Sequence, residues 1–152
     1  MIESRTNSNA DADGLPVAVL SYVAPRRLLA ELVGTFMLTF VAAGGPVMAA
    51  ATGIDSGLAA LVVAPALLVM ALIYSLGPLS GAHFNPAVTL AFTLRQNVPF
   101  RRLPGYWLAQ GLGAILAALL LRALFGNVGH LGATLPYRGT VVPFAMEATL
   151  TL

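Results

Sequence analysis

The sequence predicts an all-helical membrane protein, and three observations predict it. Of its 152 residues, 58% are hydrophobic and only 9% are charged, whereas soluble domains carry about 25% charged residues. The mean hydropathy is +0.84, and the apolar residues gather into runs long enough to cross a bilayer. One further run, 85–94, is apolar but too short to cross. Ten helical residues rise about 15 Å, and the hydrocarbon core is about 30 Å thick.

The elements follow in order along the chain. Residues 1–24 hold Asn, Ser, Asp and Gly with a brief apolar patch at 17–20. A signal peptide needs a basic start and a longer apolar run, so 1–24 is expected to be a flexible tail. Residues 28–50 form a first span whose only charge is Glu31. A polar turn at 51–56 contains Asp55. A second span, 57–77, is interrupted by Pro65. Small residues fill a loop at 78–84, and the short run 85–94 follows. A basic loop at 95–102 leads to a third span, 103–125. A loop at 126–142 carries Gly, Pro and Arg138. Residues 143–152 open another apolar segment.

Charge placement sets the expected topology. All eight basic residues are Arg, and the net charge is +2. That charge reports orientation and argues for no nucleic-acid partner. Arg26 and Arg27 flank the start of the first span, which therefore begins on the cytoplasmic side. If 85–94 crossed, Arg95, Arg101 and Arg102 would lie outside, against the positive-inside bias. Re-entry keeps all five on one side and leaves Arg122 and Arg138 opposite. The expectation is a multi-pass protein of the cell membrane with a cytoplasmic N-terminus. The chain has no Cys, which excludes disulfides, thiolate metal sites and a Cys nucleophile.

The segment before the short run explains what re-entry achieves. Non-helical backbone at membrane depth is stable only inside protein or along a wet cavity. Ser80-Gly81-Ala82-His83-Phe84 is expected to enter the membrane in that way. Gly81 and Ala82 permit close backbone packing. Asn85 suits an N-cap and Pro86 the first helical position. The half-helix then aims its positive end at the midplane. Exposed carbonyls followed by a helix N-terminus make a polar stripe in an apolar wall. Such a stripe suits water or polyols and disfavours cations.

Residues 80–89, Ser-Gly-Ala-His-Phe-Asn-Pro-Ala-Val-Thr, resemble the first signature loop of the aquaporin and glycerol-facilitator family. Ala30-Glu31-Leu32-Val33-Gly34-Thr35-Phe36 resembles that family's opening span. Tyr106-Trp107-Leu108-Ala109-Gln110, with Gly113-Ala114, resembles its third. The resemblance implies an aquaporin-like right-handed helical bundle in which 25–142 is the first repeat. Residues 143–152 would begin a second, with Glu147 and Thr151 standing where Glu31 and Thr35 stand. It implies passive passage of water or a neutral solute such as glycerol, a lipid bilayer as surroundings, and a homotetramer for the full-length form. It implies no enzyme activity and no cofactor. The second Asn-Pro-Ala motif of the family is missing from this sequence, so the expectation is a partial channel. The alternative is a non-conducting fragment or truncated product.

The resemblance also gives residues roles. Asn85 would donate its amide to a passing solute while its oxygen caps the half-helix, with Pro86 and Ala87 supplying geometry. Gly81, Ala82 and His83 would turn backbone carbonyls to the pore. The His83 ring has no second His or carboxylate at ligand spacing, and the resemblance makes it an internal brace. Glu31, Gln110 and Glu147 would brace re-entrant loops. Pro65 stands where the family places a constriction residue, and Val69 lies one turn on. Ordinary helix packing remains open for both. No nucleophile, metal-ligand set or phosphate loop accompanies Glu31, His83 or Glu147, which argues against an intramembrane enzyme.

Overall fold

Five helices account for most of the residues that the computed structural model describes, 17–54, 57–135 and 139–151. They are α1 (Val17–Thr52), α2 (Gly57–Ser80), α3 (Pro86–Leu94), α4 (Leu103–Phe125) and α5 (Val141–Thr151). Short 3-10 turns at Phe100–Arg102 and Gly129–Gly132 lead into and away from α4. Among the described residues, three stretches are long and apolar enough to span a membrane: Ala24–Thr52, Gly57–Ser80 and Phe100–Phe125. Asp55, Arg138 and the tail segment 1–16 lie outside the described residues.

Two helices run further than expected. α1 already begins at Val17, inside the stretch 1–24 expected to be a flexible tail. The run from Val17 to Val23 has no breaker, and the helix continues across Pro25. α2 likewise passes through Pro78 and ends at Ser80, where a loop was expected from 78. Apolar spans tolerate proline because neighbouring helices and local adjustments satisfy the freed carbonyl. Proline is thus a weaker stop signal here than in water.

The packing is built on close approach. α1 is the hub, lying along both α4 and α2. A Cβ at Gly113 of α4 would strike the Leu32 carbonyl and crowd the Phe36 amide of α1. At Gly34 of α1 it would overlap the Phe84 ring, and at Gly45 the Leu61 side chain. The turn at Gly129–Gly132 folds back on α1, where Gly132 meets the Ala43 backbone. Small residues at crossings are how membrane helices gain dispersion contacts without a hydrophobic driving force.

The distribution of polarity is inverted relative to a soluble domain. Large apolar side chains such as Leu58, Val62, Leu67 and Ile73 on α2 face outward, as do Leu108, Ile115 and Leu119 on α4. Glu31, Thr89, Thr93 and Gln110 are at most 1% exposed. Lipid solvates the first group, and the second must find partners inside.

The α1–α4 crossing makes a direct prediction. Gly113→Val is expected to lower stability by about 1–3 kcal/mol through overpacking. Gly111→Ala, where nothing lies within 4 Å, is expected to stay within about 0.5 kcal/mol of the parent. Detergent-based thermal melting of the two variants beside the parent checks the contrast.

Candidate pore loop and its bracing network

The site begins with one carboxylate. Glu31 lies on α1, seven residues beyond Ala24, the start of its apolar stretch. Gln110 lies ten beyond Phe100 on α4. At 1.5 Å per residue both stand roughly 10–15 Å inside their spans, about the half-depth of a 30 Å core. The two side chains meet there, with Gln110 Nε2 donating to Glu31 Oε2 at 2.8 Å.

Glu31 collects three more donors from the segment leaving α2. Ser80 Oγ donates to Oε1 at 2.6 Å, and the His83 amide to the same oxygen at 3.0 Å. The Phe84 amide donates to Oε2 at 2.8 Å. Four bonds use the full acceptor capacity of a carboxylate. The Ala82 amide is taken by Ser80 Oγ at 3.1 Å. Three successive N–H groups, at 82, 83 and 84, therefore turn towards Ser80 and Glu31.

The opposite edge of this ribbon follows from peptide geometry. Among the described residues there is no cis peptide bond, and in a trans peptide the carbonyl points away from the next N–H. The carbonyls of Gly81, Ala82 and His83 are thus aimed away from Glu31. The turn is achieved with left-handed backbone at Gly81 (φ 93°), Ala82 (φ 53°) and Phe84 (φ 47°). For the two non-glycine residues that conformation costs on the order of 1–3 kcal/mol each. The buried hydrogen bonds to Glu31 offset it. A side chain at Gly81 would be strained by its positive φ, and its Cβ would crowd the His83 ring, 3.0 Å from Nε2.

α3 then starts at the inner end of the ribbon. Asn85 has extended backbone (φ −149°, ψ 129°), and its Oδ1 accepts from the Ala87 amide at 2.8 Å. Pro86 occupies the first turn. The Asn85 side-chain NH₂ makes no hydrogen bond among the described residues, and Asn85, Pro86 and Ala87 are all exposed. α3 runs back along α4: Trp107 Nε1 donates to the Pro86 carbonyl at 3.1 Å, while Leu94 connects through 95–99 to the start of α4. Nine residues span about 13 Å, less than half of a 30 Å hydrocarbon core.

Thr89 locks the two halves of the loop together. Its hydroxyl donates to the Asn85 carbonyl at 3.0 Å and accepts from Gln110 Nε2 at 2.9 Å. His83 Nδ1 is 3.2 Å from the same oxygen. Since the Thr89 proton goes to Asn85, the network assigns the proton of that contact to Nδ1. The ring also stacks on Phe92 at 4.9 Å and tilts against Tyr106 at 5.2 Å. Tyr106 Oη donates to the Ser80 carbonyl at 2.7 Å, closing the C-terminus of α2.

The structure thus brings Glu31, Gln110, Gly81, Ala82, His83 and Asn85 into one assembly. Pro65 and Val69 are half-buried on one side of α2 and take no part in it. Glu147 is exposed on α5 and is not among the partners of the network around Glu31. Thr89, Tyr106 and the Trp107 indole were not singled out for these bonds. Thr89 alone had a local cue, standing one turn after the cap on the face of Asn85. Among the described residues no group of three or more His, Asp or Glu stands close enough to hold a metal ion.

A model of the family described as major intrinsic protein matches residues 19–152. Aquaporin NIP1-1 of Zea mays is 38% identical over 150 residues, covering 98% of this chain and 53% of that protein. Aquaporin NIP1-1 of Oryza sativa subsp. japonica is 36% identical, covering 99% of this chain and 54% of that protein. Aquaporin NIP3-1 of Arabidopsis thaliana is 38% identical, covering 98% and 48%. The chain spans about half the length of the curated relatives it matches.

Replacing Glu31 tests the brace. In Glu31→Gln one acceptor oxygen becomes an NH₂ group facing donors. Leaving buried donors unsatisfied costs about 1–3 kcal/mol each. The expected readout is faster hydrogen–deuterium exchange at peptides covering 82–84, with exchange in the outer half of α4 unchanged. Parental protection at 82–84 would show that Glu31 does not hold the loop.

Proposed function

The chain belongs to the major intrinsic protein family, and from that premise we propose that it supplies one half of a passive pathway for water or small neutral solutes. One observation carries this reading. The loop 81–85 sorts its polar groups: every N–H from 82 to 84 faces the buried brace, and the carbonyls of Gly81, Ala82 and His83 face away. These carbonyls, then the Asn85 amide, line the route at the positive end of α3. Solutes exchange water hydrogen bonds for this ladder, and cations meet an unfavourable helix terminus. Passage involves no covalent step.

Pro86 and Ala87 shape the turn behind Asn85, and Pro65 with Val69 supplies an apolar wall from α2. Glu147 plays the Glu31 role towards a second re-entrant loop. The protein is a multi-pass membrane protein. Its N-terminus is cytoplasmic in this proposal, because the Arg-rich ends of α1 and α4 then face inward. The full-length form assembles as a homotetramer in this reading.

A second reading, in which the chain alone does not conduct, is favoured by the exposure of Asn85, Pro86 and Ala87. These residues form one wall of a conduit and need an opposite wall. Stopped-flow light scattering on proteoliposomes distinguishes the two. The chain reconstituted with the second half of the Zea mays relative is expected to shrink vesicles faster than empty controls. Asn85→Leu, which keeps the size and removes the amide, is expected to reduce that rate several-fold. Permeability equal to empty vesicles, alone and in combination, would sink the pathway reading.

A further inference from the structure

Trp107 is the only tryptophan in the chain, and it stands deeper than membrane proteins usually place one. It lies seven residues beyond Phe100, the start of the α4 apolar stretch. At 1.5 Å per residue that is about 10 Å inside the span, past the interfacial belt that Trp favours. An indole N–H at such depth needs a fixed acceptor. It finds the Pro86 carbonyl at 3.1 Å, although Trp107 itself is 43% exposed.

The identity of that carbonyl matters. Pro86 C=O and Ala87 N–H belong to one peptide unit, which resonance keeps planar. Its oxygen accepts from the Trp107 indole, and its N–H donates to Asn85 Oδ1 at 2.8 Å. Fixing Oδ1 in turn limits where the NH₂ of the same side-chain amide points. Indole, backbone peptide and side-chain amide thus form a row of three groups, each held by the one before. Donation to the peptide oxygen also polarises the unit and strengthens the bond from its N–H.

A second hold keeps the row in place. Gln110 Nε2 donates to Thr89 Oγ1 at 2.9 Å. Trp107 and Gln110 are three residues apart on α4, and so are their acceptors Pro86 and Thr89 on α3. One bond would let a helix of nine residues pivot about it. Two bonds, a turn apart, stop the rotation that would swing Asn85 aside. Thr89 is fully buried, whereas Trp107 ties down the exposed start of the same helix.

We infer that Trp107 is a positioning residue, which orients the Asn85 NH₂ through the peptide unit that joins Pro86 to Ala87. Its bearing on passage rests on the pathway reading of Asn85, while the coupling itself does not.

Nuclear magnetic resonance of the full chain in micelles reads the coupling. Trp107→Phe keeps an aromatic ring and removes the N–H, and the Asn85 NH₂ resonances are expected to shift by more than their linewidth. Leu119→Ala, exposed about three turns further along α4, is expected to leave them in place. Far-UV helicity reports whether Trp107→Phe folds. If it does not, the reciprocal variant Asn85→Ala is expected to move the indole N–H resonance, and an unmoved one overturns the proposal. In vesicles holding the chain with the second half of the Zea mays relative, Trp107→Phe is expected to change the glycerol-to-water permeability ratio about two- to tenfold. Loss of folded protein alone would lower both rates and leave their ratio. An unchanged ratio in a conducting pair, or Asn85 resonances that ignore Trp107→Phe in the folded chain, overturns the positioning role. If the parent pair conducts nothing, the pathway reading fails and the resonances alone decide the coupling.

Discussion

Everything near the loop depends on burying one carboxylate at mid-depth. A charged side chain in hydrocarbon is costly and must be paired or hydrogen-bonded. Glu31 meets that demand with donors from three places: the end of α2, the backbone of the ribbon at 83–84, and α4. The requirement runs both ways. Irregular backbone at this depth leaves amides that no lipid can satisfy, and Glu31 is the acceptor they converge on. Removing either side leaves the other with an uncompensated polar group, so charge and loop stabilise each other as a unit.

That unit is positioned by small residues rather than by a large apolar core. Gly113 lets α4 reach the backbone of α1, which brings Gln110 to Glu31. Gly34 opens the space that the Phe84 ring fills. The ring anchors residue 84 in its left-handed conformation while its amide bonds to Glu31. Glycines at helix crossings therefore act on the polar site indirectly, by setting the distance over which hydrogen bonds are made.

Much of this was legible in the sequence, for physical reasons. The half-helix at 85–94 showed itself because ten residues cannot cross 30 Å and because Arg lies on both sides of the question. Glu31 and Gln110 stood out as polar side chains in apolar runs. The start of α1 and the stop of α2 were not legible, because Pro25 and Pro78 end helices in water and are carried through here. The bonds made by Thr89, Tyr106 and Trp107 depend on which helix face meets which. Helix periodicity cannot rank faces when apolar residues surround the helix on all sides. Pro65 and Val69 share a side of α2, as their spacing implies, but nothing local says what that side confronts.

The spacing of Glu31 from its partners has a consequence for how the protein is made. The donors at Ser80, His83 and Phe84 follow it by 49 to 53 residues, and Gln110 by 79. At about 5–20 residues per second of synthesis, several seconds separate the arrival of the carboxylate from that of its first donor. An acidic group such as Asp at the centre of a span costs about 2.5–3.5 kcal/mol on insertion. α1 must therefore enter the bilayer, or wait at its edge, on the strength of its other apolar residues. Its acid is settled only when the returning chain catches up.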